Sequence, residues 1–288
     1  MDATADFLHR IVAFALAEDV GDGDVTGQAV VPKDRVGSAH LVAKADGIMS
    51  GSELATAVFS EVDPKLTCKW HVEDGGRVAS GQTLAEFAGP LRGLLTGERV
   101  ALNFLSRLSG IATLTRKYVE AVGGHQAKII DTRKTTPGLR HLEKYAVRCG
   151  GGENHRFGLY DMILIKENHI QAGGGIETAV LAARQAASER TPSPAIEVET
   201  QTIADAILAA RLLVDRVMLD NMPVGDMHEA VLKIREVSAD TGKFVAVEAS
   251  GNVTLDNAFE IAETGVDYIS VGALTHSAPA LDLSLLIS

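Results

Sequence analysis

From residue 127 onward the chain repeats one pattern: a short, nearly continuous apolar run that stops at a polar residue or a glycine. Ile129-Ile130 stops at Asp131, Ile163-Leu164-Ile165 at Lys166, and Ile196-Glu197-Val198 at Glu199. Val217-Met218-Leu219 stops at Asp220, Val245-Ala246-Val247 leads to Ser250, and Ile269-Ser270-Val271 to Gly272. Between most of these runs lie stretches with helical spacing, over 139–148, 176–189, 201–212, 225–239 and 254–263. Strands that are apolar at successive positions are buried on both faces. Alternated with amphipathic helices, they predict a parallel sheet covered by helices. Such units can form a β/α barrel or an open doubly wound sheet. The barrel is preferred, because a functional-looking residue ends every run. Barrels gather their sites from many strand ends, whereas a doubly wound sheet concentrates them at one switch point.

The first third follows a different rhythm. Phe7, Leu8, Ile11, Val12 and Ala15 share one helical face, and the apolar stretch 11–17 is short and flanked by Asp2, Asp6, Glu18 and Asp19. That reads as an amphipathic helix and not as a signal peptide. An acidic glycine loop at 21–24 follows, then an alternating strand at 39–44, a helix at 51–60 and a second alternating strand at 66–72. The stretch from Gly75 to Phe87 reads as a structural hairpin, so the whole suggests a small α+β domain. Helical spacing from Gly97 to about Val122, with a bend near Gly110, predicts a bridge to the second domain.

Composition narrows the class. In 288 residues, 46% hydrophobic content is enough for a large core and excludes global disorder. Twenty-seven basic against 38 acidic residues give −11, so non-specific binding to nucleic acid or to an anionic membrane is not expected. Two cysteines, Cys68 and Cys149, exclude a disulfide scaffold and point to a reducing compartment, and no apolar run approaches a transmembrane length. A cytoplasmic protein is expected.

Against that acidic background, residues 131–170 carry seven basic and five acidic residues, a local balance of +2. Arg133 and Lys134 follow one predicted strand, Lys166 ends the next, and His155 and Arg156 lie in a glycine-rich loop between them. Cations at strand ends converge on one rim, and convergent cations call for an anion. Lys144 and Arg148 lie within a helix and read instead as surface charges. Glu199 and Asp220 end adjacent runs, where paired carboxylates can hold Mg²⁺, accept from sugar hydroxyls or steady a developing cation. Ordinary helix capping is the other reading of these two. Ser250-Gly251-Asn252 and Gly272-Ala273 are small residues at the last two strand ends, where barrels frequently bind phosphate. Together the rim suits a phosphorylated sugar beside a small polyanion.

These segments resemble the quinolinate phosphoribosyltransferase family over nearly the whole chain. The likeness is carried by AEDVGDGDVT at 17–26, GERVALNFLSRLSGIAT at 97–113 and DTRKTTPGLRHLEKYAVRCGGGENHR at 131–156. It continues in LIKENHI at 164–170, EVE at 197–199, MLDNM at 218–222, EASGN at 248–252 and ISVGALTHSAPALDLSL at 269–285. The resemblance implies an N-terminal α+β sandwich domain over 1–110 and an incomplete β/α barrel over 111–274, with the tail 275–288 packing back on the first domain. It implies a homodimer with shared active sites. The reaction would be quinolinate plus phosphoribosyl pyrophosphate giving nicotinate mononucleotide, pyrophosphate and CO₂, with Mg²⁺, in NAD biosynthesis. By the same resemblance Arg99, Thr132, Arg133, Lys134, His155, Arg156 and Lys166 would surround quinolinate and pyrophosphate, Arg99 reaching in from the neighbouring subunit. Glu199 and Asp220 would bind ribose hydroxyls or Mg²⁺, directly or indirectly. Ser250, Gly251, Asn252, Val271, Gly272 and Ala273 would seat the 5′-phosphate. Lys134, Lys166, Glu199 and Asp220 would be the catalytic set.

Other readings compete. A class I aldolase-like barrel would use Lys166 as a Schiff-base lysine. A molybdenum-linked paralogue of the same fold is opposed by the NHR and LIKENH segments. GGRVASGQTLAEF at 75–87 resembles half of a biotinyl- or lipoyl-type carrier, but the tip lysine is missing. Cys149, His155 and His169 match no usual zinc spacing, and no Walker loop or GxGxxG follows a strand.

Overall fold

The computed structural model describes residues 5–288; Asp2 lies outside them. In chain order the first elements are α1 (Ala5–Val20), α2 (Val25–Val30), β1 (Val36–Ala43), β2 (Gly47–Ile48) and α3 (Ser52–Val62). Then come β3 (Thr67–Trp70), β4 (Arg77–Val78), β5 (Thr83–Pro90) and α4 (Leu91–Ala121). The second half runs β6 (Lys128–Ile130), α5 (Arg140–Cys149), β7 (Met162–Ile165), α6 (Glu167–Ala172), α7 (Ile176–Ser188) and β8 (Ala195–Thr200). It ends with α8 (Ile203–Arg211), β9 (Arg216–Asp220), α9 (Val224–Thr241), β10 (Ala246–Ser250), α10 (Ala258–Glu263), β11 (Tyr268–Ser270), α11 (Ala273–His276) and β12 (Leu283–Ile287). Two compact units result. One comprises Met1–Arg116, Thr135–Gly151 and Leu274–Ser288; the other comprises Lys117–Lys134 and Gly152–Ala273.

The first unit is built on an antiparallel sheet ordered β12-β1-β5-β3, with a separate β2-β4 pair. β1 turns Ala39, Leu41 and Ala43 into the core, at 0–1% exposure. Phe87 of β5 packs against Phe59 of α3 with ring centroids 4.6 Å apart, and Trp70 meets the same ring edge-on at 5.8 Å. The stretch 75–87 is not a hairpin. β4 pairs with β2, while the turn between β4 and β5 is captured by the end of β1: Ala43 N–H donates to the Gln82 carbonyl (3.0 Å) and Gly81 N–H to the Ala43 carbonyl (2.8 Å). Helix α4 runs without a break through Gly110. Glycine is needed there because a Cβ would lie 2.1 Å from the Pro279 carbonyl oxygen, so the requirement is close approach of the tail segment and not a bend.

The second unit holds six parallel strands ordered β6-β11-β10-β9-β8-β7. Read as a ring, that is the sequence order opened between β6 and β7. A doubly wound sheet would reverse direction part-way, and this one does not. The fold is therefore an incomplete β/α barrel preceded by an α+β sandwich domain. At the opening, residue 153 bonds to the free edge of β6: Glu153 N–H donates to the Ile129 carbonyl (2.8 Å), and Asp131 N–H to the Glu153 carbonyl (3.2 Å). The spacing predicts a helix from 254, yet α10 begins at Ala258. Asn257 accounts for the delay: its side chain accepts from Thr254 N–H (2.8 Å) and donates to the Asn252 carbonyl (3.0 Å). No helix among the described residues is long and apolar enough to cross a membrane.

Helix α5 falls in the first unit, and two of its charged residues are buried. Lys144 is 1% exposed, contrary to the surface role expected of it. Glu143 is wholly buried. It accepts from Arg107 Nη2 (2.8 Å), from Thr136 N–H (3.0 Å) and from Thr136 Oγ1 (2.8 Å). Arg107 also bonds to the carbonyls of Thr275 and Ala278. Removing one partner of such a pair strands the other charge. Glu143→Ala should therefore lower unfolding free energy by about 3–5 kcal/mol in urea denaturation, whereas a loss below ~1 kcal/mol would show the pair to be solvated.

Candidate active site

Alternation along the strands decides which residues meet. Leu164 and Lys166 at β7, Glu197 and Glu199 on β8, and Arg216, Met218 and Asp220 on β9 are spaced two apart and share the inner face. So do Glu248 and Ser250 on β10 and Tyr268 and Ser270 on β11. At their C-terminal ends lies a cavity of about 390 Å³. Its lining includes Thr132, Arg133, Lys134, His155, Arg156, Lys166, Glu199, Asp220 and Ser250, all of them expected at the site. It also includes Asn221, Glu248 and Ser270, which the sequence reading did not single out.

The remaining expected residues are placed differently. Arg99 is an exposed residue of α4 in the first unit. Gly251 and Asn252 continue the chain from Ser250, and Val271, Gly272 and Ala273 continue it from Ser270; these five do not line the cavity. Val271 N–H is committed to the Ile130 carbonyl at 2.9 Å.

Local structure holds the segments that carry Lys134, His155, Arg156 and Lys166. Lys134 N–H donates to Thr132 Oγ1 (3.0 Å), which tightens the turn after β6. Asp131, fully buried, accepts from His155 N–H (2.9 Å) and from Asn154 Nδ2 (2.6 Å), and so fixes the segment carrying His155 and Arg156. Arg156 donates to the Met162 carbonyl (3.3 Å). Burial, and then the positive charge of Arg133, lower the Arg156 pKa. Two guanidiniums thus repel each other at the site, and an anion with two carboxylates relieves that repulsion. Lys166 Nζ is ion-paired with Glu199.

Below the rim lies a buried charge cluster. His155 Nε2 is 3.0 Å from Glu197 Oε2 and 3.4 Å from Glu248 Oε2, and Arg216 Nη1 donates to Glu248 Oε2 at 2.8 Å. Arg216 also stacks over the Tyr268 ring at 4.0 Å. Burial by itself would lower the His155 pKa, but the two carboxylates outweigh it and push it up to about 9. Burial and repulsion from Glu248 raise Glu197 to about 7, while His155 and Arg216 hold Glu248 below its ordinary value against its own burial. Arg156 N–H lies 2.6 Å from His155 Nδ1, a contact that suits a lone pair and leaves the imidazole proton on Nε2, facing Glu197. One further proton bound by the His155–Glu197 pair, whose two pKa values are both raised, together with Arg216 opposite Glu248, brings the cluster to zero net charge, as burial requires.

The same atoms of His155, Glu197 and Glu248 lie within 4.8 Å of one another, as metal ligands do, and they are the only such group among the described residues. Two features oppose a metal there: Arg216 already neutralises Glu248, and Nδ1 cannot accept a hydrogen bond while a neutral Nε2 ligates. Glu199 and Asp220 fit a hard divalent cation better. Both are oxygen donors at neighbouring strand ends, and the Lys166 ammonium on Glu199 shows that this position attracts positive charge.

Comparison with known proteins agrees with this geometry. Residues 24–109 match the model of the quinolinate phosphoribosyl transferase N-terminal domain, and residues 111–286 match that of its C-terminal domain. The chain belongs to the quinolinate phosphoribosyltransferase family. A Nicotiana tabacum relative named quinolinate phosphoribosyltransferase [decarboxylating] 1b is 45% identical over 97% of this chain and 82% of its own. A crystal structure of NadC from Streptococcus pyogenes superposes with a TM-score of 0.93 at 40% identity, covering 100% of this chain and 99% of the other. That of the nicotinate-nucleotide pyrophosphorylase from Francisella tularensis gives 0.92 at 40% identity, over 100% and 98%. The aldolase-like reading of Lys166 has no support among these relatives.

Within this member of the family, Glu197 was legible in principle. The Glu-Val-Glu spacing places it on the same strand face as Glu199, one layer deeper. Glu248, two before Ser250, carried the same sign, but its pairing with Arg216 is across strands and had none. Arg216→Met would leave the two acids short of a positive charge. It should destabilise the fold by about 3–5 kcal/mol in thermal or urea unfolding, and an unchanged midpoint would mean the cluster is not electrostatically closed.

Proposed function

We propose that this protein joins quinolinate to the phosphoribosyl group of phosphoribosyl pyrophosphate and releases nicotinate mononucleotide, pyrophosphate and CO₂, in NAD biosynthesis. The observation that carries this reading is the convergence of Arg133, Lys134, Arg156 and Lys166 on one cavity that also presents Glu199 and Asp220. Quinolinate is a pyridine diacid, and planar guanidiniums match carboxylates in a bidentate manner. Arg133 and Arg156 bind and orient it so that its ring nitrogen faces the anomeric carbon of the sugar. The nitrogen lone pair forms the new C–N bond as the bond to pyrophosphate breaks, and positive charge grows on the ribose ring. Glu199 and Asp220 face that charge and accept from the ribose hydroxyls. Lys134 and Lys166 receive the departing pyrophosphate. Mg²⁺, held by Glu199 and Asp220 directly or through the substrate, would neutralise pyrophosphate oxygens. Once alkylated, the ring nitrogen accepts the electron pair left when the adjacent carboxylate departs as CO₂, and a proton then replaces that carboxylate on carbon. The chain contributes position and charge and no covalent intermediate.

The 5′-phosphate is assigned to Ser250, Gly251 and Asn252, with Val271, Gly272 and Ala273 beside them, where barrels commonly bind phosphate. The protein is proposed to act as a homodimer, with Arg99, exposed in its own chain, supplied to the partner's site. Two free cysteines fit a reducing compartment, and the cytoplasm is the proposed location.

The direct test is release of CO₂ and nicotinate mononucleotide from quinolinate and phosphoribosyl pyrophosphate, with nicotinate as the control acceptor. Turnover with nicotinate equal to that with quinolinate would contradict the diacid reading. Arg133→Ala and Lys134→Ala should each lose about a hundredfold or more in kcat/KM, from ~3 kcal/mol per charge-assisted contact, while circular dichroism stays that of the parent. Mixing Arg99→Ala with Arg133→Ala protein should restore part of the activity through hybrid dimers; no recovery would place Arg99 in its own subunit's service.

A further inference from the structure

Asn221 follows Asp220 at the end of β9 and has φ +55°, a left-handed conformation that few residues other than glycine adopt but asparagine tolerates. Across from it, the loop after β10 carries Gly251 at φ +94° and Asn252 at φ +51°. Two hydrogen bonds tie the two loops, and a third holds the Asn221 amide on its neighbour Asp220. Asn221 N–H donates to the Ser250 carbonyl (2.8 Å), Asn252 Nδ2 donates to Asn221 Oδ1 (3.0 Å), and Asn221 Nδ2 donates to Asp220 Oδ2 (3.1 Å). The orientation of the amide is determined, because an ionised carboxylate only accepts; the NH₂ must face Asp220 and the oxygen must face Asn252. Fit is as close as the bonding. A Cβ on Gly251 would lie 2.2 Å from Asn221 Oδ1, so the loop backbone rests directly on the amide. Asn221 itself lines the cavity.

We infer that Asn221 is a positioning residue that clasps Asp220 to the Ser250–Asn252 loop and so sets the spacing between the ribose and the 5′-phosphate of the donor. The inference rests on the proposed roles of those residues toward phosphoribosyl pyrophosphate. A clasp between the two ends of one substrate tunes affinity for that substrate alone. The pyridine diacid, held by Arg133 and Arg156, is unaffected.

Asn221→Gly separates the amide from the backbone, since glycine keeps the positive φ without strain and removes only the side-chain clasp. This variant should melt within a few degrees of the parent, raise the KM for phosphoribosyl pyrophosphate about tenfold and leave the KM for quinolinate within twofold. Asn221→Asp, which replaces the donor facing Asp220 with a second carboxylate, should raise the donor KM further. An Asn221→Gly enzyme with the parent's donor KM, or one whose two KM values rise together, overturns the clasp. Asp220→Asn serves as the reference. If it leaves the donor KM unchanged, the assignment of Asp220 to the ribose fails as well; if it raises that KM while Asn221→Gly does not, only the clasp fails.

Discussion

Like charges brought to one place repel, and the second unit depends on how it holds four cations around a single cavity. Arg133, Lys134, Arg156 and Lys166 converge at strand ends of a chain whose net charge is −11. The repulsion is visible in Arg156, whose pKa falls through burial and through Arg133. The barrel meets it from below. Glu197 and Glu248 occupy the layer under the rim, and Arg216 and His155 balance them there. The site is thus positive where a ligand enters and neutral underneath, which is how an acidic protein can hold a small anion without a basic surface.

Lys166 and Glu199 illustrate the same economy on the rim. In the structure the two satisfy each other. On the proposed roles, a donor carrying both a pyrophosphate and ribose hydroxyls would offer each of them a replacement partner, so the ion pair would be exchanged for substrate contacts instead of being lost. The carboxylates at the ends of β8 and β9 are neighbours because those strands pair in register, Glu199 opposite Met218 and Thr200 opposite Leu219.

Much of this was legible beforehand. The six apolar runs became the six parallel strands, and four of their stop residues, Lys166, Glu199, Asp220 and Ser250, line the cavity, because burial on both faces and location at a strand end are written locally. What the chain hid was pairing at a distance. Lys144 looked like a surface charge because helical spacing says nothing about which unit covers the helix, and it is buried. The stretch 75–87 looked like a hairpin because turn chemistry marks a reversal without naming the partner; Ala43 captured the turn instead. Gly110 looked like a bend and proved to be a point of contact with Pro279. Asn221 was an ordinary loop residue until two strand ends were set side by side.

On the proposed function, a pyridine diacid is recognised through both of its carboxylates by the strand-end cations. Calorimetric titration of the protein with quinolinate and with nicotinate, each at low and high salt, tests it without any turnover. The diacid should bind at least about tenfold more tightly than the monoacid, the ~1.4 kcal/mol or more that one charge-assisted contact supplies, and the margin should shrink as salt screens the rim. Equal affinities, or a margin indifferent to salt, would contradict it.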